Sequence, residues 1–313
     1  MHCRPFLRTL FAILALVVSS DAWSADEVRK KVLVIGIDGC RPDALQAAAT
    51  PHLDSLIENG IYADDTQILG ERYNGNDTIS GPGWSSILIG VWADKHGVDG
   101  NKFTGPNYDE FPHFFQRIKE VRPDAVTISI ADWEPITTKI VTAADVSKHS
   151  VDEQPDNKAN PHPEHDVVVA RDAVEQLKTA DPDAIFVYLG QVDETGHRYG
   201  FHPRLKRYKD AIERVDGHVG ELLAALASRE NREREDWLIL VTTDHGGRGT
   251  GHSNGHSQPD IRNGFLIVSG PAARRGRFQD TTYLVDVVPT ALTHLGLEIN
   301  PEWKLDGRSV GLK

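Results

Sequence analysis

Three short stretches of this chain gather carboxylates and imidazoles in the way a metal centre needs. The first is Asp38, in Ile37-Asp38-Gly39. The second is Asp193-Glu194-Thr195-Gly196-His197. The third is Asp244-His245-Gly246-Gly247, followed by His252 and His256. Carboxylate oxygen and imidazole nitrogen are donors for zinc-like and manganese-like divalent ions. Two such ions need about six to eight ligands, and these stretches supply roughly that many. Neither cysteine of the chain is among them, which excludes a structural thiolate site. A strand-end aspartate alone is often only a turn former, and an aspartate four residues before a histidine is common on loops. Asp-His-Gly-Gly is more specific, because an adjacent acid and imidazole in a glycine-rich turn can face one ion. Their joint occurrence, each after an apolar β-branched run, sets them apart.

A nucleophile candidate lies between the first two stretches. Ser80-Gly81-Pro82 reads as a turn feeding a helix that runs toward Gly90, with Ser80 at the cap and Pro82 in the first turn. Unpaired N–H groups and the positive end of the helix dipole favour an anion, or an ionised oxygen, at that place. A plain N-cap serine satisfies the same pattern.

The elements that must position these groups can be read from hydrophobic periodicity. Lys31 to Ile37 is a buried strand ending at Asp38-Gly39. Similar runs span Ala125 to Ile130, Ala184 to Leu189, Trp237 to Thr243 and Phe265 to Ser269. Helical patterns separate them. Pro51 to Glu58 is one, and Asp286 to Leu295 another. In a third, Leu205, Tyr208, Ile212, Val215, Val219 and Leu222 form one apolar face. Strands alternating with helices predict an α/β fold, a mostly parallel sheet sandwiched by helices. Ligands then bind beyond the carboxyl ends of the strands, where Asp38, Asp193 and Asp244-His245 fall. The stretch 101–163 is poorer in pattern and is expected as a variable insertion region. Its polar part, Ser147 to Pro163, carries Pro155, Pro161 and Pro163.

Arg4 and Arg8, the apolar run Leu10 to Val18, and Ala22-Trp23-Ser24 read as a signal peptide over 1–24. The expected product is a domain over 25–313 in the periplasm or outside the cell, with no membrane span after cleavage. Cys40 alone cannot form an internal disulfide, so stability must come from the core. A formal net charge of −12 argues against extended contact with a nucleic-acid duplex, which needs phosphate-neutralising cations. It does not exclude a small phosphate ester, because bound cations dominate the local field.

Together these residues resemble the type I phosphodiesterase and nucleotide pyrophosphatase family of the alkaline phosphatase superfamily. The resemblance rests on Ser80-Gly81-Pro82, Gly90, His96-Gly97, Asp193 to His197 and Asp244 to Gly246. It also rests on Asn101, which follows Ser80 by 101 − 80 = 21 positions. It implies a hydrolase of phosphodiesters or pyrophosphates working through a phosphoserine on Ser80, with Asn101 binding a phosphoryl oxygen. It also implies two divalent metal ions, with zinc expected. Asp38, Ser80, Asp244 and His245 would hold one ion, and Asp193, His197 and a later histidine the other. His256 is the expected last ligand and His252 its rival.

Two features depart from the family. Serine stands where threonine is usual; Thr78 is near, but its spacing to Pro82 and Asn101 is wrong. A sulfatase-type signature needs arginine two residues after the proline, where Trp84 stands. A phosphomonoesterase or sulfatase on the same scaffold is the competing enzyme reading. An exported protein that keeps the metals without turnover is the competing reading of another class. Trp84, Trp92, Phe103 and Trp133 are assigned first to the core and second to a stacking cleft.

Overall fold

The computed structural model describes residues 28–69, 77–159 and 161–313. The expected signal peptide over 1–24, with Cys3, lies outside the described residues. Among the described residues no helix is long and apolar enough to cross a membrane.

Among the described residues eight strands form one sheet. They are β1 (Arg29–Ile37), β2 (Gly60–Gln67), β3 (Thr127–Ala131), β4 (Val146–His149), β5 (Ala184–Leu189), β6 (Glu235–Thr242), β7 (Asn263–Ser269) and β8 (Gly276–Arg277). Their order is β4-β3-β5-β1-β6-β7-β2-β8. The first five in that order are parallel, and β7 runs antiparallel to both its neighbours.

The apolar runs are continuous because both faces of each central strand are covered. In β1, Leu33, Ile35 and Ile37 enter one core, beneath the helices Pro42–Ala47, Pro51–Asn59, His162–Thr179 and Lys206–Ala227. Val32 and Val34 enter the other, beneath Ser80–Ile89, Phe114–Val121 and Val287–His294. All five side chains are fully buried, and each buried side chain of this size contributes about 1.5–3 kcal/mol. The result is the expected helix–sheet–helix sandwich. Of the helix face read from Leu205, Tyr208, Ile212, Val215, Val219 and Leu222, all are buried as periodicity required except Leu205, which stands exposed at the N-cap.

Three strands had no legible pattern. β2 carries Asp64-Asp65 and a register shift between Ala63 and Thr66. β4 is largely exposed at the sheet edge, and β8 has only two residues. Edge strands lack the apolar continuity that marks central ones. The segment 101–163, expected as a variable insertion region, supplies Phe114–Val121, β3 and β4, so much of it builds the main layers.

The topology sets up the chemistry. Strands β3, β5, β1 and β6 are consecutive neighbours. Asp132 directly follows β3, Asp38 directly follows β1, and Asp244 lies two residues beyond β6. After β5, the helix Gln191–Tyr199 carries Asp193. One edge of the sheet thus collects four carboxylates.

Candidate metal centre

Asp38 is fixed from two sides. Gly36 makes this possible: a Cβ there would lie 2.4 Å from the Trp84 ring, so only glycine lets the indole lie across β1. From there Trp84 Nε1 donates to Asp38 Oδ2 at 2.8 Å, and the Tyr188 hydroxyl donates to the same oxygen at 2.5 Å. Asp38 Oδ1 is left buried and without a hydrogen-bond partner. Gly39, at φ 64°, turns the chain away, and its N–H donates to Asp244 Oδ1 at 3.2 Å. Asp244 Oδ2 is likewise buried and unpartnered, 3.1 Å from His245 Nε2. His245 Nε2 lies 3.6 Å from Asp38 Oδ1. These three residues form one group able to hold an ion.

The second group is built on the helix Gln191–Tyr199, with Asp193 in its first turn and His197 in its last, and on the glycine-rich loop after β6. Asp193 Oδ2 lies 3.2 Å from His197 Nε2, and Asp193 Oδ1 lies 3.5 Å from His252 Nε2. The two imidazole Nε2 atoms are 2.9 Å apart. His252 stacks on His245 with ring centroids 3.8 Å apart. The separations of 3.1 to 3.6 Å match the distance of about 3.3 Å between donors sharing a tetrahedral ion with bonds of about 2.05 Å.

The imidazoles share one arrangement. His245 Nδ1 lies 2.9 Å from the Gly246 carbonyl, His197 Nδ1 2.9 Å from that of Thr250, and His252 Nδ1 2.8 Å from that of Thr78. A carbonyl only accepts, so each Nδ1 carries the proton and each Nε2 turns a lone pair inward. Two lone pairs facing at 2.9 Å repel unless a cation lies between them. In the metal-free protein a proton takes that place. Its hydrogen bond to Asp193 pushes the His197 pKa up to about 9. Burial, with His245 adding to it, pulls His252 down to about 3. Burial and the charges of Asp38 and Asp193 hold the Asp244 carboxyl well above its usual range. The donor set therefore fits cations: inward lone pairs, buried carboxylates, and no lysine or arginine among the residues lining the adjoining cavity.

The two histidines expected as candidates for the last ligand, His256 and its rival His252, are placed differently. His252, not His256, joins Asp193 and His245 in a metal-sized group, and it is His252 that touches His197. The reason is local. Thr78 Oγ1 donates to the His252 carbonyl at 2.5 Å and accepts from Gly255 N at 2.8 Å, while the Thr78 carbonyl takes His252 Nδ1. The loop is pinned so that His252 points inward. Thr78, the rejected nucleophile, thus has its hydroxyl committed to that brace.

Ser80 is the first residue of the helix Ser80–Ile89, and the N-cap position falls on Ile79 rather than on the serine expected there. The Ser80 side chain lines a cavity of about 290 Å³ with Asn101, Asp193, His197 and His252. Gly81 N–H donates to Asn101 Oδ1 at 2.7 Å. That bond orients the asparagine and leaves its NH2 group for an anion, so Asn101 rather than the Gly81 N–H is the available donor. His96 has no part in this cavity. It is fully buried between Ser86 and the Val98 N–H, and burial pulls its pKa to about 3. The aromatic residues divide: Trp84 and Trp92 are core, whereas Trp133 lines the cavity, with Phe103 6.0 Å away.

Asp132 and His162 also line this cavity. They escaped the sequence reading, although Asp132 ends the Ala125 to Ile130 run and so carried the strand-end signal that marked Asp38.

The sequence profile of the type I phosphodiesterase / nucleotide pyrophosphatase family matches residues 32–256. The chain belongs to this family. Among curated relatives, bovine bis(5'-adenosyl)-triphosphatase ENPP4 is 26% identical over 230 residues, covering 69% of this chain and 47% of that protein. Human ectonucleotide pyrophosphatase/phosphodiesterase family member 7 is 23% identical over 247 residues, 70% of this chain and 48% of that protein. The chain thus spans about half the length of these relatives. Murine ectonucleotide pyrophosphatase/phosphodiesterase 5, solved with AMP, superposes with a TM-score of 0.64 at 16% identity, over 90% of this chain and 97% of that one. A 2-O GAG sulfatase superposes with a TM-score of 0.71 at 13% identity, over 90% and 73%. At such identities the solved structures establish the fold, which is alkaline phosphatase-like.

Proposed function

We propose that this chain is a two-metal hydrolase of phosphodiester or pyrophosphate bonds that forms a phosphoserine on Ser80. The observation that carries the reading is the convergence of buried, unpartnered donors (Asp38 Oδ1, Asp193 Oδ1, Asp244 Oδ2 and His245 Nε2) beside a cavity lined by Ser80. Asp38, Ser80, Asp244 and His245 are assigned to one ion, and Asp193, His197 and His252 to the other. Carboxylate and imidazole donors suit zinc.

When bound, the two cations supply acidity to the serine hydroxyl and neutralise charge building on the phosphoryl oxygens. Ser80 Oγ attacks phosphorus, the ester or phosphoanhydride oxygen departs in line, and water then cleaves the Oγ–P bond. Asn101, its carbonyl held by Gly81, donates from Nδ2 to a phosphoryl oxygen. Trp84 and Tyr188 hold Asp38 Oδ2, so that its other oxygen stays aimed inward. Trp133 offers a face on which a planar leaving group stacks. Bis(5'-adenosyl) triphosphate and nucleotides, in the names of the relatives above, suggest that class of substrate. The residues Arg4 to Ser24 support action in the periplasm or outside the cell.

The sulfatase reading gains nothing from the shared fold. Trp84 stands where that signature needs arginine, and its indole is committed to Asp38. Four p-nitrophenyl esters decide the reading: thymidine phosphate, phenylphosphonate, phosphate and sulfate. The first two are expected to turn over fastest, in a chelator-sensitive way. Faster sulfate or phosphate hydrolysis rejects the diesterase assignment, and no turnover on any ester supports a protein that only keeps metals.

A further inference from the structure

The carboxylate beyond β3 belongs to a second cluster of donors on the same cavity. The Asp132 side chain is 2% exposed, and its Oδ1 has no hydrogen-bond partner. His162 and His165 stand one turn apart at the start of the helix His162–Thr179, with ring centroids 5.4 Å apart. Ligand atoms of Asp132, His162 and His165 all lie within 4.8 Å of one another. His162 Nδ1 is 3.7 Å from Asp132 Oδ2, and its Nε2 is 3.7 Å from Glu194 Oε2.

These distances discriminate. At 3.7 Å neither contact is a hydrogen bond. Donors sharing one tetrahedral ion sit about 3.3 Å apart, and the 3.7 Å between His162 Nδ1 and Asp132 Oδ2 lies near that separation. The neighbouring Asp166 is the control. It is buried too, but the Gly190 N–H, Gln191 N–H and Gln191 Nε2 satisfy it at 3.0, 3.3 and 2.8 Å. The same end of the same helix therefore holds one carboxylate that the chain itself satisfies and faces another that it leaves open. No lysine or arginine lines the cavity to answer Asp132.

We propose that Asp132, His162 and His165 bind a third divalent cation, of the zinc or manganese class that accepts one carboxylate and two imidazoles. Three protein donors leave coordination positions open toward the cavity that Ser80 shares. Resting on the hydrolase reading above, those positions suit an anionic oxygen of the substrate away from the phosphorus under attack, such as the second phosphoryl group of a pyrophosphate.

The test counts metal. The full chain is loaded with zinc, desalted, and its equivalents per chain measured by native mass spectrometry, with circular dichroism to verify folding. Three equivalents are expected in the wild type, two in Asp132→Asn, and two in His165→Gln, which checks the site should the first variant misfold. Equal counts in the wild type and both folded variants overturn the proposal, whether His162 is then a plain imidazolium or the donors stay bare. Asp244→Asn separates the two readings. A count that falls in Asp244→Asn but not in Asp132→Asn or His165→Gln sinks the third site alone. A count that falls only in the latter pair keeps this site and sinks the dinuclear one.

Discussion

The two ends of the central strands both bury charge, and they handle it in opposite ways. At the amino end, Glu235 opens β6. It accepts Arg229 Nε at 2.8 Å, Arg229 Nη2 at 2.8 Å and Trp237 Nε1 at 2.7 Å. Lys31, fully buried, donates to Asp181 at 2.7 Å and to the Pro182 carbonyl at 2.8 Å, and Arg229 reaches Asp181 as well. Every buried charge there meets an opposite charge from the chain. At the carboxyl end Asp38, Asp193 and Asp244 face one another and three imidazoles, with oxygens left unpaired. Removing charge from water costs several kcal/mol per ion unless it is compensated. The chain supplies both signs where it needs only rigidity, and one sign where it must take cations from outside. Burial alone does not mark a site; burial with unanswered donors does.

The largest expected effect breaks the comparison at the carboxyl end. Ser80→Ala should lower kcat by roughly a thousandfold or more, because it removes the proposed nucleophile. Steady-state rates on the thymidine ester check this, and near-normal turnover in the folded, metal-loaded variant ends the assignment.

Neutralising one acid at each end sharpens the contrast. Glu235→Ala leaves Arg229 with only the half-exposed Asp181 and leaves Trp237 Nε1 without its acceptor, and should cost about 3 kcal/mol of stability by denaturant titration. Asp244→Asn in the metal-free protein removes a repelled carboxylate, so its midpoint should hold or rise while turnover is lost. If both variants lose stability alike without metal, the two ends do not handle buried charge in opposite ways.

Chelation comes next. Metals at a hundredfold excess over their Kd stabilise by about 2.7 kcal/mol per site. Stripping them should lower the thermal midpoint of the wild type by more than that of a variant lacking Asp38 and Asp193. A midpoint indifferent to chelator in the wild type speaks against bound cations.

The smallest effect concerns acid. Lys31 and Arg29 hold the Asp181 carboxyl down at about 2, against the desolvation that opposes them. A folded pKa below the unfolded one stabilises above the unfolded value, and that stability is lost as pH falls toward about 2. Because Asp181 is about half exposed, the loss is small. Denaturation midpoints between pH 4 and pH 2 should fall less steeply in Asp181→Asn than in the wild type; parallel curves would remove Asp181 from the amino-end network.

Part of this was legible in the chain itself. Central strands buried on both faces write themselves as unbroken apolar runs, so β1, β3, β5, β6 and β7 were readable, and with them the positions of Asp38, Asp193 and Asp244-His245 at their ends. Turn chemistry made Ser80-Gly81-Pro82 readable as a helix start. Edge strands β2, β4 and β8 were not readable, because half-exposed backbone imposes no apolar period.

What the residue order determined, then, was which groups occur at strand ends and which chemistry they suit, since periodicity and donor type are local properties. Tertiary structure alone decided which of them meet. His252 rather than His256 reaches Asp193 because Thr78, 174 residues away in sequence, braces its loop. Asp132 becomes a neighbour of the cavity because β3 lies beside β5, and Asn101 turns its amide outward because Gly81 occupies its carbonyl. Such contacts join residues far apart along the chain, and no local pattern encodes a distance through space.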